Sequence, residues 1–318
     1  MQAPLLSLST GAVAGRTDKA GEIVAWIEEV GARAAELNAI NEQTFKELEA
    51  LLFRTGIAVT SLHNFCPVPE NSSCLLFISE DPETRERAVK ATINTLKRAA
   101  DVGAKAVVCH LDYVPMQREV EEFAAMLRSE GNTAEVKAAR EMLRKLRREM
   151  SLLYLDKVLL SLESILEAAA KLEVKVGLET RCGYHEIPIP EELEVILAKF
   201  SGAPIGYWHD FGHAHSLDRH GFYRHEEILK RFSQAIIGVH IHDVKGTRDH
   251  LPPGKGEIDF KTLLAYIPPE AIKTIEVAEA HNAALVRQGL EHLERLFCSD
   301  QVKPARAKQD LKNPQLGV

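Results

Sequence analysis

Eight short apolar runs, separated by longer stretches of helical periodicity, narrow what this chain can fold into more than any other feature. The runs predict strands at Leu5–Ser9, Ala32–Leu37, Ile57–Leu62, Lys105–Cys109, Val174–Leu178, Ile205–Trp208, Ile236–Val239 and Ala271–Val277. Each is too short for a helix and is bounded by polar or turn residues. Between them apolar residues recur at helical spacing, as Ile23, Ile27 and Val30 do in Lys19–Val30 and Phe45, Leu48, Leu51 and Leu52 do in Asn41–Arg54. Gly31 and Gly56 stop these two helices, while Asp81, Pro82 and Glu83 supply the cap and first turn of a third that runs through Ala100. Further helices are expected over Pro190–Phe200, His225–Phe232, Asp259–Tyr266 and Asn282–Phe297. Strands that are apolar on both faces and alternate with helices eight times predict an α/β protein, a closed parallel (β/α)8 barrel. An open doubly wound sheet would carry a Gly-rich phosphate loop after its first strand, and Thr10, Gly11 and Gly15 do not make that fingerprint.

The fourth strand is followed by a helical insertion, Gln117 to Lys171, broken near Gly131 and Asn132 and restarted with Thr133 as N-cap. Its extra part, residues 115–152, is expected to form a lid or a contact in a homo-oligomer. Arg140, Arg144, Arg147 and Arg148 share one side of it, with Glu141, Lys145 and Glu149 four apart, which reads as a solvated face laced with ion pairs. The barrel is expected to occupy residues 1–302 and a polar tail residues 303–318. A hydrophobic content of 45% rules out a mostly disordered chain. A net charge of -7 argues against nucleic acid as the partner and for a small molecule. Five cysteines without Cys-x-x-Cys spacing fit a reducing cytoplasm, and no run of about 18 apolar residues is present to span a bilayer.

Polar residues punctuate the strand ends: His63, His110, Glu179, Asp210, His240 and Glu276. In a barrel those ends converge on one mouth. Three carboxylates and several imidazoles brought together there would repel one another or stay desolvated without a cation. Three carboxylates with one imidazole suit Mn²⁺, Mg²⁺ or Co²⁺, and recruitment of more His would draw the site towards Zn²⁺. Two stretches frame this mouth. After the seventh strand, Gly246, Pro252, Pro253, Gly254 and Gly256 predict a loop carrying Arg248, Asp249 and His250; after the fifth, Arg181–Pro190 brings Tyr184, His185 and Glu186 within reach of the mouth.

Leu178–Thr180 (LET), Trp208–His215 (WHDFGHAH), His240–Gly246 (HIHDVKG), Asp249–Phe260 (DHLPPGKGEIDF) and Ile275–Val277 (IEV) resemble the xylose isomerase-like TIM-barrel superfamily. That superfamily includes sugar and sugar-phosphate isomerases and epimerases, inosose dehydratases and endonuclease IV. The resemblance implies one divalent metal on Glu179, Asp210, His240 and Glu276, and proton transfer through a metal-stabilised enediolate with Glu179 and Glu276 as base and acid. It also implies substrate contacts from His63, His110, His213, His242 and His250, and an anion-holding role for Arg181. The substrate implied is a sugar or sugar phosphate. An endonuclease IV-like zinc phosphodiesterase stands as the alternative, with extra metals on His63, His110, His213 and His250. Against it, Arg248 stands where that group carries an Asp, and a cation there is expected to disfavour the third metal. A dehydratase, or a non-catalytic carbohydrate-binding barrel, completes the set.

Overall fold

The structure is a computed structural model that describes residues 4–70, 72, 75–278 and 281–299. Eight strands pair in parallel and close on themselves: β1 (Leu6–Ser9), β2 (Ala34–Leu37), β3 (Ala58–His63), β4 (Ala106–Cys109), β5 (Lys175–Glu179), β6 (Ile205–Asp210), β7 (Ile236–Ile241) and, after the hairpin strands β8 (Asp243–Lys245) and β9 (Arg248–Leu251), β10 (Ile272–Ile275). The helices are α1 (Gly11–Ala14), α2 (Ala20–Val30), α3 (Glu42–Thr55), α4 (Pro82–Asp101), α5 (Gln117–Glu130), α6 (Ala134–Leu172), α7 (Pro190–Lys199), α8 (Phe211–Arg219), α9 (His225–Phe232), α10 (Phe260–Leu263) and α11 (Ala283–Cys298). The expected (β/α)8 TIM barrel is thus the fold. No helix among the described residues is long and apolar enough to cross a membrane.

The barrel is plugged by a single large side chain. Trp208 is fully buried and packs with Ala106 and Val108 inside the strands. Gly177 and Gly238 on the neighbouring strands make this possible, since a Cβ at Gly177 would sit 2.8 Å from the indole and one at Gly238 closer still. Strand alternation then sends Tyr207 and His209 outward, where His209 meets His225 of α9 at 2.9 Å. A buried His pair of this kind carries no apolar periodicity. It explains why β6 continues to Asp210 instead of stopping at Trp208.

Helix α6 has 39 residues, so at 1.5 Å per residue it is about 58 Å long. Thr133 caps it as expected, accepting the Val136 N–H at 3.3 Å. Its second half buries Val158, Leu162, Ile165, Leu166 and Ala169 against the barrel, and its first half packs with α5 as the insertion after β4.

Four expectations are corrected. The arginine side of α6 is solvated only in part: Arg148 is exposed and Glu141 pairs with Arg144, but Arg147 is completely buried, and Arg140 and Arg144 bond the backbone oxygens of His220, Gly221 and Phe222. The stretch after β7 is not a plain loop, because Asp243–Lys245 and Arg248–Leu251 form an antiparallel hairpin. The segment after the hairpin folds around Asp243, whose carboxylate accepts the N–H groups of Gly254, Gly256 and Ile258. A helix absent from the sequence reading, α8, follows β6 directly. Tyr184 does not reach over the mouth; it is buried and stacks on Phe222 with centroids 3.9 Å apart. The tail at 303–318 lies outside the described residues.

Candidate metal centre and active site

Neighbouring strands pair in register so that polar residues at their C-terminal ends form one layer above Trp208. Asp210 pairs with His240, and Thr274 pairs with His240 from the other side, bringing Glu276 two residues later to the same level. Glu179 pairs with Trp208. The donor atoms of Glu179, Asp210, His240 and Glu276 consequently all lie within 4.8 Å of one another. Around an ion with bonds of about 2.0–2.2 Å, donors stand roughly 3–4.4 Å apart, so a contraction of a few tenths of an ångström would complete a coordination sphere. Glu179, Asp210 and His240 are essentially inaccessible to solvent, while Glu276 is partly open at the rim. Three carboxylates with one imidazole, buried together, are a donor set that fits a hard or borderline divalent cation.

The two nitrogens of His240 have different jobs. Nε2 donates to Glu36 of β2 at 3.0 Å, and the Glu36 carboxylate is held in turn by the Ser61 hydroxyl at 2.8 Å. Nδ1 faces Glu179 at 3.0 Å, Glu276 at 3.2 Å and Asp210 at 3.8 Å. Glu36 therefore keeps a hydrogen on Nε2 and turns Nδ1 towards the carboxylates, as the nitrogen open to a metal once its own proton is displaced, the arrangement by which an outer carboxylate orients a ligating imidazole. Glu36 sits at the end of β2 and is missing from the site predicted by sequence.

Electrostatics follow from this crowding. Burial alone would lower His240, but Glu276, Glu36 and Glu179 outweigh it and raise it well above the usual imidazole range. Burial would raise Asp210, and His213 and His242 instead carry it down. Glu179 is likewise pushed up by burial and pulled well below the carboxylate range by the imidazoles of His110 and His240. Burial and the Arg181 guanidinium take His110 down to about 3, against the pull of the Glu179 carboxylate that it touches.

Two further groups flank the first. His63, His110 and Glu179 bring donor atoms together on one side, and His213, His242 and His250 do so on the other. His63 Nε2 is 3.5 Å from Glu179 Oε2, and His110 Nε2 contacts the same oxygen. On the far side, His213 donates Nδ1–H to the Thr180 carbonyl at 2.9 Å, and His242 is gripped between Asp210 and Asp249 at 3.0 and 3.1 Å. Here the expectation from Arg248 is corrected. Arg248 is exposed, and Asp249 occupies the inner position beside His242 and His250, so no cation intrudes on that group. Arg181 lies inside the mouth, with its Nη1 2.7 Å from His110 Nε2 and 3.4 Å from Glu179 Oε2, and its Nε bonded to Glu186 at 2.9 Å. The predicted metal and substrate residues His63, His110, Glu179, Arg181, Asp210, His213, His240, His242, His250 and Glu276 thus share one mouth, and Tyr184 does not join them.

The family model for the xylose isomerase-like TIM barrel matches residues 24–296. The chain belongs to this family. Solved structures similar to it include a D-tagatose 3-epimerase-like protein, 19% identical, with a TM-score of 0.67 over 92% of this chain and 97% of the other. The 3-keto-D-glucoside 4-epimerase of E. coli is 17% identical, with a TM-score of 0.67 over 92% and 99%, and an L-ribulose 3-epimerase is 14% identical, with 0.65 over 93% and 96%. At such identities the likeness establishes the xylose isomerase-like fold alone. No curated protein matches the sequence.

Proposed function

We propose that the chain is a divalent-metal-dependent isomerase or epimerase of a sugar or sugar phosphate, working by proton transfer beside a carbonyl. The observation that carries the reading is the convergence of Glu179, Asp210, His240 and Glu276 on one point, with Glu36 orienting His240 from behind. A divalent ion held there would polarise a carbonyl and an adjacent hydroxyl oxygen and so acidify the C–H between them. Glu179 and Glu276 flank His240 Nδ1 at 3.0 and 3.2 Å, which suits them to act as base and acid on a carbon held at that level. His213 spends Nδ1–H on Thr180, leaving Nε2 for a substrate hydroxyl. His242 and His250, stacked with centroids 4.1 Å apart, wall the same side. The names of the similar solved structures, two sugar epimerases and one D-tagatose 3-epimerase-like protein, support a sugar as the substrate.

The test is solvent exchange. Metal-replete protein in D₂O should load deuterium at the carbon beside the carbonyl of at least one ketose or ketose phosphate, and Glu276→Gln should abolish it. Failure with every ketose in a broad panel would overturn the reading.

The two flanking groups favour one second reading, a zinc phosphodiesterase with more than one metal. It predicts cleavage of an abasic-site oligonucleotide that stops on adding a zinc chelator. The net charge of -7 and the guanidinium inside the mouth weigh against it.

A further inference from the structure

The His63–His110–Glu179 group has donors placed for a cation, and the structure already supplies one there. Arg181 Nη1 stands 2.7 Å from His110 Nε2 and donates to Glu179 Oε2 at 3.4 Å. A metal ion would need those same two atoms as ligands, so guanidinium and metal are mutually exclusive there. Arg181 is also fastened from behind. Glu186 takes its Nε at 2.9 Å, the other Glu186 oxygen accepts the Gly183 N–H at 2.7 Å, and the Glu186 carbonyl is held by buried Arg147 at 3.1 Å. A side chain pinned at both ends does not swing aside cheaply, because the side-chain freedom it would regain is small beside the charged hydrogen bonds it would break. Among the described residues no guanidinium bonds Asp210, His240 or Glu276, whose near charged partners are imidazoles and carboxylates.

We propose that Arg181 sets the metal number of this mouth: it fills the His63–His110–Glu179 group with its own charge and confines divalent metal to the neighbouring carboxylate-rich group. The proposal rests on the metal-binding reading above. It makes Arg181 the residue that separates a single-metal proton-transfer site from a bridged multi-metal site on the same scaffold, since Glu179 would otherwise be the shared bridging ligand.

The experiment counts metal. Full-length protein is incubated with excess MnCl₂ or ZnCl₂, desalted and assayed by mass spectrometry of the metal, alongside Arg181→Met, His110→Ala and the double variant. Wild-type protein should show the same count as His110→Ala. Arg181→Met should gain one equivalent, lose it again in the double variant, and with Mn²⁺ change from isolated-ion to exchange-coupled paramagnetic resonance, as ions about 4 Å apart do. If Arg181→Met is unfolded by circular dichroism, Arg181→Gln keeps a donor towards Glu186 without the charge and should behave the same way. An unchanged count in folded Arg181 variants, or loss of an equivalent from His110→Ala alone, would overturn the proposal. The underlying reading has its own control: if wild-type protein holds no metal that Asp210→Ala removes, that reading fails, while the comparison between Arg181 variants still decides the role of Arg181.

Discussion

Arg147 offers the sharpest test of how the insertion supports the site. Its guanidinium is fully buried and makes five bonds: two to Glu192 at 2.6 and 2.9 Å, two to the carbonyls of Tyr184 and Glu186 at 3.1 Å, and one to Ser151 at 2.7 Å. Taking away one partner of a buried, hydrogen-bonded pair strands the other charge, at a cost of about 3–5 kcal/mol. Glu192→Leu and Arg147→Met should each therefore lose about that much. The Arg147→Met/Glu192→Leu double variant leaves no charge behind, so its loss should fall at least about 2 kcal/mol short of the sum of the single losses. Urea unfolding followed by circular dichroism measures all four proteins, with chelator present so that bound metal does not add its own stabilisation. The same variants should lose hydrogen-exchange protection at Val114 and Ile187, whose N–H groups bond the carbonyls of His185 and Asp112 along the loop that carries Arg181. Single losses that simply add to within about 0.5 kcal/mol would refute the account of this pair as one coupled unit.

Two further outcomes follow from the barrel and its mouth. Gly238→Ala should destabilise by about 1–3 kcal/mol or more, because the new methyl collides with the Trp208 ring, and unchanged urea stability would refute the plug. Because the pKa of His240 is raised well above its usual value, His240 carries a proton at neutral pH in metal-free protein, and metal must displace it. Affinity for Mn²⁺ should thus climb by roughly tenfold per pH unit until pH passes that raised pKa, and fall as the medium is acidified. Titration calorimetry in buffers of different ionisation enthalpy should find about one proton released near pH 7, and none released would contradict the His240 assignment.

Much of the fold was legible because its determinants are local. Apolar runs of four to seven residues, helix caps such as Asn41, Asp81 and Thr133, and stops such as Gly31 are all local features of the chain. The mouth was legible because parallel closure carries any polar strand end to the same rim. What escaped notice depends on partners far away in sequence. Arg147 sits in the same i,i+4 alternation of charges as its exposed neighbours, and only the packing of Glu192 and the Arg181–Pro190 loop removes it from water. Glu36 is an isolated acid until β2 and β7 are brought to opposite sides of the barrel. The β8–β9 hairpin has polar strands with little intrinsic preference for pairing, and it is Asp243, gathering three N–H groups from beyond the turn, that organises it. Helix α8 begins Phe-Gly-His, a poor helix start by propensity. It forms because Asp210 caps it, accepting the His213 N–H at 2.7 Å.

The indole that fills the barrel makes the chamber above it a cul-de-sac. Solvent and reactant would both enter at the rim, where Glu276 is partly open. The deuterium loaded from D₂O then becomes a gauge of how often that rim is rewetted while a carbanion is held beneath it.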